Sequence, residues 1–330
     1  MNTGKSKGKS IFKALFSKNE LGALLPLVLL LIVVAFVNPG FFAGRNILDI
    51  MRTASFTFVV AMPLTFLLAS QGLDLSVGAV TSLGGGIVCG MALKAGVPLA
   101  LAILLALVAG AVVGFINGLF AIKSDLPVFI ATLGTQYMVN GAIAITTNNV
   151  AISNFDISFK QLSQYRLFGE IPMPIIYAVV LGIIGQMILS KTRFGREVLA
   201  IGGNKETAYL AGIKVNSRRM VTFVATSVFS ALAGILMASR FACAQPAAGN
   251  GTELSIMAGV IIGGTSMFGG QATVVGSALG AILLATITNA LILMNVSTLW
   301  QSFIYGLILV VALYVDKYRR KVLSGERLGG

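Results

Sequence analysis

The chain has only 11 acidic residues among 330, and two of them occupy the same setting. Gly72-Leu73-Asp74-Leu75-Ser76-Val77-Gly78-Ala79 returns as Gly251-Thr252-Glu253-Leu254-Ser255-Ile256-Met257-Ala258, and the match runs on to Gly84-Gly85 and Gly263-Gly264 at the same offset of 179 positions. Each copy sets an acid and a serine at the edge of a charge-free, glycine-rich stretch. A carboxylate beside a hydroxyl accepts hydrogen bonds from the amides of a helix start or from the hydroxyls of a solute. Asn117-Gly118-Leu119 and Asn289-Ala290-Leu291 form a weaker echo at an offset of 172. Histidine is absent, which removes the commonest general base and metal ligand, and Cys89 and Cys243 have no metal-type spacing. These residues point to recognition and passage of a solute, without a catalytic residue, a metal or a cofactor.

The elements that must position them are membrane helices. The chain is 56% hydrophobic and 11% charged, with a mean hydropathy of +0.91, whereas soluble domains carry about 25% charged residues. A helix needs about 20 apolar residues to cross a bilayer. Runs free of charge predict ten spans, at roughly 21–37, 53–70, 76–93, 97–122, 127–147, 174–190, 220–239, 255–268, 272–294 and 298–315, the eighth short enough to be a broken helix. With the N-terminus inside, 18 of the 24 Lys and Arg residues fall on the cytoplasmic side and 6 on the outer side, the bias expected of a correctly oriented bundle. Both termini are then cytoplasmic. Basic segments facing an anionic leaflet account for the net charge of +13 without any nucleic acid. The expected fold class is all-α: a polytopic membrane helix bundle of about ten transmembrane helices. Its parts are a basic tail at 1–20, one transmembrane domain at 21–316 and a basic tail at 317–330. Thr3 to Ser10 imitates a phosphate loop, but Thr3 stands where that pattern requires Gly and no strand precedes it.

In this topology Asp74 lies at the cytoplasmic side and Glu253 at the outer side. The halves, roughly 53–147 and 220–315, therefore form an inverted-topology internal repeat around one pathway. Two readings of the acids stand together: each satisfies amides at a helix start with its serine, Ser76 or Ser255, or each lines the route. The polar residues inside spans, among them Asn117, Thr132, Gln136, Asn140 and Asn289, face either that route or neighbouring helices. Trp300 is placed to anchor at the outer interface.

The most charged stretch is the cytoplasmic segment 191–219. Asn204 is a good N-cap, Glu206 suits the positive end of a helix and Gly212 is a good stop. A two-turn helix from Lys205 to Ala211, bracketed by Gly202-Gly203 and Gly212, is predicted. Isolated short helices are marginal in water, so the apolar side of this one, Ala208 with Tyr209 and Leu210, must dock on its own bundle or on a partner.

Glu206-Thr207-Ala208 followed by Gly212-Ile213 resembles the coupling loop of ABC importer permeases, with Thr207 departing from an alanine. Gly195-Arg196, Ala200 to Asn204, Ala211-Gly212-Ile213, Gly72 to Ala79, Asn117-Gly118, Thr132 to Thr135, Ala244-Gln245-Pro246 with Gly249, and Gly263 to Ser266 with Gly269-Gly270 are together similar to the ribose-type sugar permease family, over nearly the whole chain from about residue 20. The resemblance implies a type II ABC importer-like fold in the plasma (inner) membrane. It also implies a second copy of the chain, ABC ATPase subunits, an extracytoplasmic sugar-binding protein and a monosaccharide carried by alternating access. Coupling to the ATPase would fall to Gly202, Gly203, Asn204, Glu206, Ala208 and Gly212. The translocation pathway would use Asp74, Ser76, Asn117, Glu253, Ser255 and Asn289, the acids binding sugar hydroxyls or gating the route. The alternative class is an ion-coupled secondary transporter with inverted repeats, which usually needs an ionisable group near the membrane midplane.

Overall fold

The structure is a computed structural model. It describes residues 21–314 except 38, 125 and scattered positions between 298 and 313. Both basic tails lie outside the described residues, as does most of the tenth expected span.

The described residues form an all-α bundle. The helices are α1 (Leu21–Val37), α2 (Gly44–Ala69), α3 (Val77–Lys94), α4 (Leu99–Lys123), α5 (Val128–Thr147), α6 (Ile157–Gln164), α7 (Met173–Lys191), α8 (Arg193–Gly203), α9 (Lys205–Leu210), α10 (Val215–Phe241), α11 (Thr252–Ile262) and α12 (Val274–Leu293). Seven of these, namely α2, α3, α4, α5, α7, α10 and α12, are long and apolar enough to cross a membrane. α1 has 17 residues and α11 only 11, so the count of ten spans is not met among the described residues. Two helices start five or more residues earlier than charge-free runs predict. α2 takes in Arg45, Asp49 and Arg52, and α10 takes in Arg218 and Arg219, because helices continue past the hydrocarbon into regions where charge is tolerated.

α10 is the central post. α4 crosses it through Gly110, Gly114 and Gly118, four residues apart and so on one face. A Cβ at Gly110 would stand 2.8 Å from the carbonyl oxygen of Ser227, and one at Gly114 2.8 Å from that of Phe223. This is the small-residue packing that lets membrane helices approach where no hydrophobic drive separates protein from lipid. α4, α5 and α7 lie outermost and expose rows of Leu, Ile and Val.

The ends of the bundle differ. One carries α8, α9 and the cations Arg193, Arg196, Lys205, Lys214 and Arg218, and is called here the basic end. At the strand end, β1 (Ile152–Ser153) pairs antiparallel with β4 (Cys243–Ala244). Beside it β2 (Arg166–Leu167) turns into β3 (Ile171–Pro172) through Phe168 and Gly169, both at positive φ.

Candidate functional site

The first acid sits in the link between α2 and α3. Asp74 is fully buried, and its Oδ1 accepts from the Ser76 amide at 2.8 Å, the Ser76 hydroxyl at 2.7 Å and Asn117 Nδ2 of α4 at 3.2 Å. The same Asn117 amide donates to Ser76 Oγ at 2.8 Å. The bond to the amide two residues on is the local turn that an aspartate forms ahead of a helix. Ser227 of α10 lies beside the carboxyl. Among the described residues Asp74 Oδ2, Asn117 Oδ1 and Ser227 Oγ are buried without a hydrogen bond of proper geometry.

The second acid arrives by a different path. After β4 the chain turns back into the bundle along α3. Ala244 packs on Gly86, and the Gly249 amide donates to Ser82 Oγ at 2.9 Å. Gly249 then meets Gly78 so closely that a Cβ on Gly78 would stand 2.3 Å from the Gly249 carbonyl oxygen and 2.4 Å from Glu253 Oε2. From Gly86 to Gly78 the descent is about 12 Å. α11 therefore starts inside the bundle, after Gly251 at φ +80°, and runs toward the basic end as the broken helix its length had indicated. Glu253, in its first turn, is 8% exposed and accepts from Gln136 Nε2 of α5 at 2.9 Å, while Oε2 has no hydrogen-bond partner among the described residues.

Two expectations are corrected here. The acids were expected at opposite faces of the membrane, at the edges of charge-free spans. The Leu75 amide, next to Asp74, instead donates to Thr132 Oγ1 at 3.2 Å, and Glu253 is held by Gln136 one turn further along α5. The acids thus sit about 6 Å apart along that helix, both in the half of the bundle nearer the basic end. The re-entry of 245–251 from the strand end carries Glu253 inward. The serines also differ: Ser76 joins its acid, whereas Ser255 donates to the Thr252 carbonyl of its own helix at 2.8 Å and makes no cap. Among the described residues the ion pairs all involve Glu197, so neither acid has a cationic partner there.

Asn289 stands apart from this cluster. It exchanges two amide bonds with Asn46, at 3.0 and 2.8 Å, and fastens α12 to the start of α2. Thr132, Gln136, Ser82 and Ser227 join the cluster. Gln136 was visible only as a polar residue inside a span, Thr132 also as part of the Thr132 to Thr135 motif, and Ser82 and Ser227 gave no sequence signal beyond being hydroxyls among apolar neighbours.

At the basic end the predicted short helix is present as α9. Asn204 Oδ1 caps it by accepting from the Thr207 amide at 2.9 Å. Gly212, at φ +79°, ends it with bonds from Gly212 and Ile213 back to the Tyr209 and Ala208 carbonyls. Ala208 is buried against Ile201, Ile213 and Val215, but Tyr209 is 72% and Leu210 84% exposed, and Glu206 is exposed with them. These side chains edge an open groove of about 630 Å³ lined by residues from Lys205 to Ser217. α8 is tied to α10 by Glu197, whose carboxylate accepts from Arg218 and, at 2.7 Å, from Arg193. The Arg218 hydrogen bond, with Arg193 adding to it, outweighs desolvation and holds this carboxyl below the usual carboxylate range. Gly202 and Gly203 end α8 against the end of α2, where a Cβ on Gly202 would stand 1.8 Å from the Ala69 carbonyl oxygen.

Comparison with known proteins identifies the family. The family model described as branched-chain amino acid transport system, permease component, matches residues 46–313. The ribose import permease protein of Bacillus subtilis (strain 168) is 37% identical over 303 residues, 90% of this chain and 92% of the relative. The L-arabinose transport system permease protein of Escherichia coli (strain K12) is 34% identical over 319 residues, 97% of each chain. The autoinducer 2 import system permease protein of Enterobacter sp. (strain 638) is 32% identical over 314 residues, 94% of this chain and 90% of the relative. No solved structure matches the chain.

Proposed function

The chain belongs to the permease-component family, and within it to the ribose-type ABC permeases; on that premise we propose that it is the membrane subunit of an importer that moves a monosaccharide inward, driven by partner ATPases. The observation that carries the reading is α9. A capped two-turn helix that buries Ala208 and holds Tyr209 and Leu210 out over a groove is built to be gripped by another protein. Glu206, Gly212 and Asn204 shape that knob, and the ATPase is the partner that fits a basic-end surface on a family member of this kind. ATP hydrolysis belongs to that partner.

The basic end is cytoplasmic and the strand end faces the binding protein, as the bias of Lys and Arg supports. The route runs past Asp74, Ser76, Asn117 and Glu253, where buried oxygens without protein partners suit the hydroxyl hydrogens of a sugar. Two copies form the working unit. α5 supports this: it carries Gln136, Asn140 and Thr146, is less apolar than α4 or α7, and is no better buried than α7. In alternating access, ATPase closure moves α9, and the site opens to one side at a time.

Co-purification with a P-loop ATPase, followed by ATP-dependent uptake of ribose, L-arabinose and autoinducer 2 into proteoliposomes, tests the reading. Uptake of one of them that needs ATP and binding protein supports it; no associated ATPase and no ATP dependence sinks it. The second reading, an ion-coupled carrier, draws on the fully buried carboxyl of Asp74, which has no cationic partner among the described residues. It requires uptake driven by a proton or sodium gradient without any ATPase.

A further inference from the structure

Three stretches of backbone converge at the basic end. The end of α2 meets the end of α8 and the 263–273 loop that follows α11. The Gly270 amide donates to the Ala69 carbonyl at 3.0 Å, and a Cβ on Gly202 would stand 1.8 Å from Ala69 O and 2.4 Å from Gly270 N. Gly269 approaches Gly202 as closely, with a Cβ placed 2.9 Å from Gly202 Cα and 2.6 Å from Gln71 Cγ.

Gln71 closes this junction. Its Nε2 donates to the Gly202 carbonyl at 2.9 Å and to the Phe268 carbonyl at 3.1 Å. Its backbone is at φ +59°, a region that side chains other than Asn, Asp and Gly seldom adopt. That left-handed turn is the C-terminal stop of α2, with the Gln71 and Gly72 amides donating to the Leu68 and Leu67 carbonyls, and it sends the side chain toward α8. The amide offers its two hydrogens to the two carbonyls at once, whereas an ionised glutamate has none to give.

The connections from Gln71 lead to every part of the site. Asp74 is three residues ahead of it. Phe268 leads back through Gly263-Gly264 to α11 and Glu253. Gly202 is two residues from Asn204, the cap of α9. We infer that Gln71 is a positioning residue: its amide staples α8 to both acid-bearing segments, so that displacement of α9 reaches Asp74 and Glu253 together. The inference rests on the importer reading, and it names the part that transmits within it. Because the backbones already touch, the junction has little slack, and the staple keeps α8 from sliding along it.

Hydrogen–deuterium exchange tests this in two arms. In the isolated chain in nanodiscs, Gln71→Glu should raise exchange at 198–204 and 265–270 by about tenfold, the scale of one lost pair of hydrogen bonds. Gln71→Lys, which still donates, should restore most of the protection. Unchanged exchange in Gln71→Glu overturns the staple. In the complex with the co-purified ATPase, ATP should change exchange at 72–76 and 252–256 in the unsubstituted chain. That response should be lost in Gln71→Glu while ATP hydrolysis continues. A persisting response in Gln71→Glu overturns the transmitting role. No ATP response in the unsubstituted chain sinks the importer reading and this role with it, whereas the first arm still decides the staple by itself.

Discussion

The two copies of the repeat begin with nearly the same residues and end as different structures. In the first, Asp74 precedes the helix, is held by its own Ser76 and by Asn117, and is fully buried. In the second, Glu253 is already inside the first turn and depends on Gln136 from another helix. The glycine pairs diverge too. Gly84-Gly85 lie within a wider helical stretch, Thr81–Val88, through which α3 continues, whereas Gly264, at φ +99°, stops the chain after α11. Widened turns of this sort recur at functional sites. The difference of one methylene matters: the shorter acid closes a local turn, and the longer one reaches across to α5. The first copy is therefore a built anchor, and the second is a broken helix whose acid is held by one side-chain bond.

Stability should separate the copies most. Asp74→Ala strands the Ser76 amide and hydroxyl and takes one of two acceptors from Asn117 Nδ2, and should cost about 3 kcal/mol, against about 1 kcal/mol for Glu253→Ala, which strands only Gln136. Thermal unfolding in detergent checks this, and equal losses would break the contrast. The contact between copies is the next largest effect. Gly78→Ala drives a methyl into the Gly249 carbonyl and Glu253 and should cost about 2 kcal/mol, whereas Gly134→Ala, which meets nothing within 4 Å, should stay within about 0.5 kcal/mol.

Glu253→Gln keeps an oxygen for Gln136 and removes the charge. It should leave the melting temperature nearly unmoved while sugar uptake falls about tenfold, the scale of one charge-assisted hydrogen bond to solute. Unaltered uptake would make Glu253 a structural residue like its counterpart. The smallest effect lies at the basic end. The folded carboxyl of Glu197 is held low, so its ion pairs stabilise fully above the ordinary glutamate pKa of about 4.3 and fade as pH falls through the lower folded value. Glu197→Gln should therefore lower the melting temperature at pH 7 by a few degrees, with the gap to the unsubstituted chain closing toward pH 3. A gap that widens on acidification would reverse the assigned sign.

Features set by neighbouring residues were legible in the sequence. Asn204 and Gly212 bound α9 because capping is local, and α1, α3, α5 and α7 begin and end within a residue or two of the charge-free runs. The depth of the acids was not legible. Counting charges assigns a segment to a face, but the dive of 245–251 is fixed by Ser82, Gly78 and Gln136, which are remote in sequence. The echo of Asn117 in Asn289 failed for the same reason: one amide meets an aspartate and serine, the other meets Asn46. The glycines of α4 carried a usable signal, their spacing of four.

The central claim is that both acids meet at one level of the bundle. Thiol cross-linking on a chain freed of Cys89 and Cys243 tests it most directly. Cysteines replace Glu253 and either Gln136 or Thr146 on α5, a short bifunctional thiol reagent is added in the membrane, and linked peptides are identified by mass spectrometry. Position 253 should link to 136 and not to 146, which lies about 15 Å further toward the strand end. Efficient linkage to 146 with none to 136 would return Glu253 to the far side of the membrane and contradict the account.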